Sequence, residues 1–179
     1  DLEHCLVNYV DVLKHLILFC CETSRFAYSP SDFPLFTVPN ENFESLIKHL
    51  SYQDTHRALE DVYPLTPMQQ GMLFHALFDE SGETYFEQIY IEIQGELNRT
   101  ALEWAWQGVL ARHPMLRTGF VWEDLPQPMQ FVRSSVVNPL RDYSMAENET
   151  AAHALQRCLE AERQQGFALD QASLIRVGL

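Results

Sequence analysis

Apolar residues recur at helical spacing over residues 2–21. Leu2, Leu6, Tyr9, Val10, Leu13, Leu16, Ile17 and Cys20 follow the i, i+3, i+4 rule, with Asp11, Lys14 and His15 between them. This predicts one amphipathic helix with a strong apolar face. The pattern then breaks, and residues 29–34 and 38–40 carry turn and extended signals. Asn40 is placed to cap a short helix whose stripe is Phe43, Leu46, Ile47 and Leu50. Residues 52–60 are polar and lack glycine. The stretch predicts a linker lying on a surface, because Phe26, Tyr28, Phe33, Leu35 and Phe36 need cover.

A denser pattern starts at Asp61. Thr66, Pro67 and Gln69 form a helix start: a capping hydroxyl, proline at the first helical position and glutamine at the capping-box position. The predicted helix ends near Phe78, with Met68, Met72, Leu73, Ala76 and Leu77 apolar. Residues 85–94 alternate, with Tyr85, Ile89, Ile91 and Ile93 opposite Gln88, Glu92 and Gln94, and predict a strand closed by Gly95. Asn98 opens a second helix whose core face is Leu102, Ala105, Trp106, Val109 and Leu110; Pro114 stops it. Trp104 and Trp106 cannot share a face, so one is expected in the core and the other outside. Strands follow at 116–122, 129–132 and 136–140. Ser144 and Glu147 offer a capping box before a helix at about 148–165, and 174–179 reads as a final strand. Helix and strand alternate, which predicts an α/β layer.

The chain of 179 residues carries a net charge of −13, and no lysine follows Lys48. Binding to phosphate backbones or anionic lipid is therefore not expected. No apolar run reaches the length of a membrane span; residues 16–21 are apolar but short. The start, Asp1-Leu2-Glu3-His4, lacks a methionine and a basic leader and reads as internal to something longer. The sequons at Asn98 and Asn148 are read as chance matches for that reason. Cys5, Cys20, Cys21 and Cys158 have no metal-ligand spacing and read as buried or half-buried free thiols of a cytoplasmic protein.

Candidate chemistry is sparse. No Gly-rich phosphate loop, His/Cys metal cluster or nucleophile elbow occurs. His75 is a conceivable base on the first helix of this region, or a histidine facing a domain seam. His113, before Pro114, can simply bond helix-terminal carbonyls. Arg117 enters an apolar strand and, if buried, needs a carboxylate; Glu92 and Asp142 are candidates, and a solvated arginine on a sheet edge is the alternative. Asp79 with residues 80–83 reads as a solvated acidic loop.

Two segments carry more. Val62-Tyr63-Pro64-Leu65-Thr66-Pro67-Met68-Gln69-Gln70-Gly71-Met72-Leu73-Phe74-His75 resembles the first core motif of condensation domains from nonribosomal peptide synthetases. Arg112-His113-Pro114-Met115-Leu116-Arg117-Thr118-Gly119-Phe120 resembles their second, Arg-His-x-x-Leu-Arg-Thr-x-Phe. Gly166-Phe167-Ala168-Leu169 and Leu174-Ile175-Arg176 are similar to the stretch leading to their third. Tyr28-Ser29-Pro30-Ser31-Asp32-Phe33-Pro34-Leu35 is similar to the linker that follows an epimerization or condensation domain.

The resemblance implies a chloramphenicol-acetyltransferase-like fold of two lobes, of which this chain holds the N-terminal one. It divides the chain into 1–35, the last helix and tail of an upstream condensation-type domain; 36–60, a linker; and 61–179, an incomplete N-terminal lobe. It implies amide-bond formation between donor and acceptor thioesters, delivered on carrier-protein phosphopantetheine arms, with no cofactor bound directly. The form of the first motif resembles the subtype whose donor ends in a D-residue. Carried over residue by residue, the motif positions are Pro67, Gln69, Gly71, Phe74, His75, His113, Leu116, Thr118 and Phe120. In the family an arginine of the second motif pairs with the aspartate of the third; Arg117 is the first choice for that role and Arg112 the second. The third motif, His-His-x-x-x-Asp-Gly, is absent from the 179 residues. The isolated chain is therefore expected to be inactive. The rival expectations are a non-catalytic module docking on a carrier protein or synthetase segment, and a piece of a CoA-dependent acyltransferase.

Overall fold

In a computed structural model of the chain, residues 2–22, 28–36, 38–53, 58–79 and 84–179 are described. The expectations for Phe26 and for residues 80–83 lie outside them. Helix α1 (Leu2–Glu22) is followed by a 3-10 turn (Pro30–Asp32), α2 (Asn40–Gln53), β1 (Leu59–Pro64) and α3 (Pro67–Phe78). Next come α4 (Arg99–Arg112), a 3-10 turn (Pro114–Arg117), β2 (Thr118–Val121), β3 (Met129–Arg133), β4 (Leu140–Arg141), α5 (Ala151–Gln165) and β5 (Val177–Gly178).

The central sheet has the order β1-β3-β2, antiparallel throughout, with Val62 opposite Phe131 and Thr118 opposite Val132. β1 was not expected as a strand. Its register shifts between Leu59 and Asp61, and such a bulge breaks the alternation by which a strand is read. β4 and β5 form a separate parallel pair with Leu140 opposite Val177.

Phe33, Val38, Phe43, Leu46 and Leu50 are buried in one cluster with Leu59, Val62, Val121, Met129 and Phe131. Tyr28, Phe33, Phe36 and Phe43 thus find their cover on the sheet. The Phe33 and Phe43 rings meet at a tilt, 6.0 Å apart, and Phe36 meets Phe43 edge-on at 5.1 Å. The hydroxyl of Tyr28 accepts a hydrogen bond from the Leu59 amide (2.7 Å). Burial pushes that hydroxyl's pKa up, against the pull of the Leu59 N–H. Leu35 stays exposed.

Several expectations need correction. Asn40 is the first residue of α2, not a cap before it. The cap of α5 is Thr150, whose hydroxyl accepts from the His153 amide, rather than Ser144. The expected strand at 116–122 begins as a 3-10 turn, because Pro114 at its first position favours helical φ. Of the strand expected at 136–140, only Leu140 pairs, in a two-residue strand with Arg141.

Residues 86–94 form no strand, and Ile89, Ile91 and Ile93 are exposed. Without that strand the helices have little sheet to cover. α3 buries Leu73 alone and α4 Leu110 alone, while Met68, Met72, Leu77 and Val109 face solvent. Trp104 is exposed and Trp106 half-buried, as the spacing requires.

The side chains of residues 4–21 on α1 are exposed, so Cys5, Cys20 and Cys21 are exposed thiols and only Cys158 is half-buried. The window His4–Cys21 has a mean hydropathy of 1.3 and is long and apolar enough to cross a membrane by length and composition. This corrects the expectation that no run reaches that length: scattered polar residues hid it.

Candidate functional site

The two motif segments meet across β3. The first leaves the end of β1 and enters α3; the second leaves α4, passes the 3-10 turn and becomes β2. β3 lies between β1 and β2 and touches both.

At the first segment, Pro67 occupies the opening position of α3 and Thr66 caps it, as expected. The Gln69 amide N–H donates to Thr66 Oγ1 (3.3 Å), and Gln69 Oε1 accepts from the Thr66 amide (2.9 Å). Gln69 does a second thing that its place in the capping box does not reveal. Its carboxamide faces that of Gln130 on β3, each Nε2 donating to the other's Oε1 at 3.2 and 3.1 Å. Gln130 is buried and also donates to the Pro64 carbonyl (3.2 Å). A buried amide with its donors and acceptor satisfied fixes where α3 leaves the sheet.

At the second segment, Arg117 is 4% exposed. Its Nε donates to the Leu110 carbonyl (2.8 Å), Nη1 to Glu60 Oε2 (2.5 Å) and to the Arg133 carbonyl, and Nη2 to the Ala111 carbonyl (3.5 Å). The carboxylate is therefore Glu60, neither Glu92 nor Asp142, and the solvated-arginine alternative fails. Asp142 pairs with Arg99 instead. Arg117 is tolerated as a buried cation because its acceptors surround it; an unmatched guanidinium there would be strongly unfavourable.

The other motif residues spread out. Arg112, His113, Gly71, Phe74 and His75 are exposed. The His75 ring lies edge-on to Phe74 at 5.8 Å, and its carbonyl accepts the Asp79 amide that ends α3. The His113 amide donates to the Val109 carbonyl (3.0 Å), and its own carbonyl accepts from Leu116 (3.0 Å). Leu116 is half-buried, and Thr118 is buried with its hydroxyl donating to the Pro114 carbonyl (3.0 Å). Phe120 is half-buried and its amide donates to the Leu169 carbonyl (2.8 Å), tying the second motif to the stretch after α5.

Sequence reasoning missed Glu60, Gln130 and Arg133. Glu60 lies within the bulge and looks like one more polar linker residue. Gln130 and Arg133 sit in an otherwise apolar run, Met129-Gln130-Phe131-Val132-Arg133, whose every residue is buried. A polar residue inside a strand buried on both faces is the signal that could have found them.

Two motif segments held against one antiparallel sheet, with the buried Arg117 of the second bonded to Glu60 on β1, make up the site. Comparison makes this specific. A family model described as "Condensation domain" matches residues 59–179. The chain belongs to that family. It is 37% identical over 171 residues to part of a linear gramicidin synthase of Brevibacillus parabrevis, covering 94% of this chain and 3% of that one. Bacitracin synthase 3 of Bacillus licheniformis is 32% identical over 177 residues, covering 96% and 3%. The chain thus spans a small fraction of these relatives' length. A solved structure named CT superposes with a TM-score of 0.58 at 20% identity, covering 82% of this chain and 32% of that one. The fold is the condensation-domain α/β fold.

Proposed function

We propose that this lobe serves peptide-bond formation in a nonribosomal peptide synthetase. A donor thioester on one carrier protein is attacked by the amine of an acceptor held on another. The new amide forms, the donor's thioester bond breaks, and its thiol leaves on the phosphopantetheine arm. The observation that carries this reading is that both motif segments are held against one strand, β3, by Gln69–Gln130 and by Arg117. The chain's own residues position; they do not themselves move a proton in this reading. The partners are carrier proteins and neighbouring synthetase domains, the location is cytosolic, and the donor ends in a D-residue.

The division of the chain belongs to the same proposal. Residues 1–35 include the last helix of a preceding condensation-type domain, 36–60 connect, and 61–179 form the lobe. The burial of Val38, Phe43, Leu46 and Leu50 supports a connection that is strapped to the lobe. Arg117, held by Glu60 at the end of the connecting segment, and the exposed Arg112 keep their assigned order as supports of the site. A docking role without chemistry is the second reading, favoured by the exposed Met68, Phe74, Phe78 and Met115.

The test has two arms. The isolated chain, mixed with loaded donor and acceptor carriers, should give no product. Grafted in place of the matching part of a relative's condensation domain, it should restore product. A folded graft with no product would sink the reading, and would favour docking if the graft still binds a loaded carrier.

A further inference from the structure

Helix C-termini leave carbonyls without intrahelical partners. In α2 one of these is Leu50, and in α4 two of them are Leu110 and Ala111. Both ends are served by a buried arginine. Arg133, 4% exposed, donates through Nη2 to the Leu50 carbonyl (2.6 Å). Its guanidinium lies over the Phe131 ring at 5.2 Å. Arg117 donates to the Leu110 and Ala111 carbonyls. The two arginines are joined: Arg117 Nη1 donates to the backbone carbonyl of Arg133 itself. Charge-assisted hydrogen bonds at the end of α2 and at the end of α4 are thus joined through Arg133, whose side chain serves the first and whose backbone carbonyl seats Arg117 for the second. That end is capped by His113, whose amide holds the Val109 carbonyl.

We propose that Arg133 is a positioning residue that ties the end of α2 to the Arg112–His113 corner, so that the segment upstream of the family match sets the pose of the second motif. The inference rests on reading residues 112–120 as that motif. Cations at helix C-termini are favourable on their own account, and an arginine can serve two acceptors at once where a lysine presents a point charge. Shifting α2 therefore moves the Arg133 guanidinium, and with it the β3 carbonyl on which Arg117 is seated.

The experiment is hydrogen exchange of the 179-residue chain, residue by residue, in Arg133→Met, Arg133→Lys and, as a control of general destabilisation, Leu73→Ala. In Arg133→Met the last-turn amides of α2 and the amides of His113 and Leu116 should exchange about tenfold faster relative to the β1–β3 ladder. Arg133→Lys should show the same pattern more weakly, and it carries the comparison if the methionine variant fails to fold. Leu73→Ala should leave the ratio unchanged. Unchanged protection at His113 and Leu116 relative to the ladder, with α2 loosened alone, would overturn the proposal. Exchange makes no use of condensation activity, so a failed graft assay leaves this result standing and the reverse holds as well.

Discussion

Gly119 in β2 has no room for a side chain. A Cβ there would lie 2.6 Å from Phe131 Cζ and 3.1 Å from the Ala172 nitrogen. Phe131 is itself buried and cannot swing clear. Overpacking of this kind costs about 1–3 kcal/mol, so Gly119→Ala should lower the unfolding free energy by that amount in denaturant titration. Gly71, the other motif glycine, has nothing within 4 Å and predicts no such loss. The two motif arginines should separate as cleanly. Arg117→Met strands the Leu110 and Arg133 carbonyls and leaves Glu60 without its partner, a loss of about 3 kcal/mol. Glu60 is half-exposed, so water relieves part of that charge. Arg112→Met, at an exposed position, should change stability by less than about 0.5 kcal/mol. Equal losses for the two variants would contradict the burial that sets them apart.

At the scale of elements, α5 offers a pH test. Glu149 accepts from Arg157 Nε and Nη2 (both 3.0 Å) and from the Ala146 amide (2.9 Å). Those bonds, Arg157 first, hold its carboxyl down at about 2. A lowered folded pKa means stability that is full above the ordinary carboxyl value and lost as pH falls toward 2. Glu149→Gln should therefore flatten the fall of stability between about pH 5 and pH 2, as read by helix melting.

α3, α4 and α5 were legible because their signals are local. Thr66 with Gln69 and Asn98 before Ala101 act within a few residues; α5 lies close to where it was expected, though Thr150 rather than Ser144 caps it. β1 was not legible, since its bulge shifts the faces within the strand. Residues 86–94 failed in the opposite way. Alternation reports which face is apolar and says nothing of a ladder partner, and among the described residues none pairs with that segment. The site divides along the same line. Gln69 and Arg117 could be singled out from motif and strand context. Glu60, Gln130 and Arg133 matter through contacts that span tens of residues, which no short window contains.

For the whole molecule, the upstream segment is where packing and sequence pattern part. Burying each of Phe33, Val38, Phe43, Leu46 and Leu50 is worth about 1.5–3 kcal/mol, so removing them all forfeits on the order of 10 kcal/mol, comparable with the stability of an ordinary domain. Deleting residues 1–53 should therefore prevent cooperative unfolding altogether. Deleting 1–22 alone, whose side chains from residue 4 to 21 are exposed, should leave the melting transition in place. The same packing bears on activity, since the strap and the second motif share Arg133. Product formation by two grafts in a relative's condensation domain, one carrying residues 28–179 and one only 59–179, with loaded carriers, tests the account most directly. The longer graft should form the amide at a rate within about tenfold of the parent domain, and the shorter should lose it. A longer graft that folds and yields no amide would contradict the account.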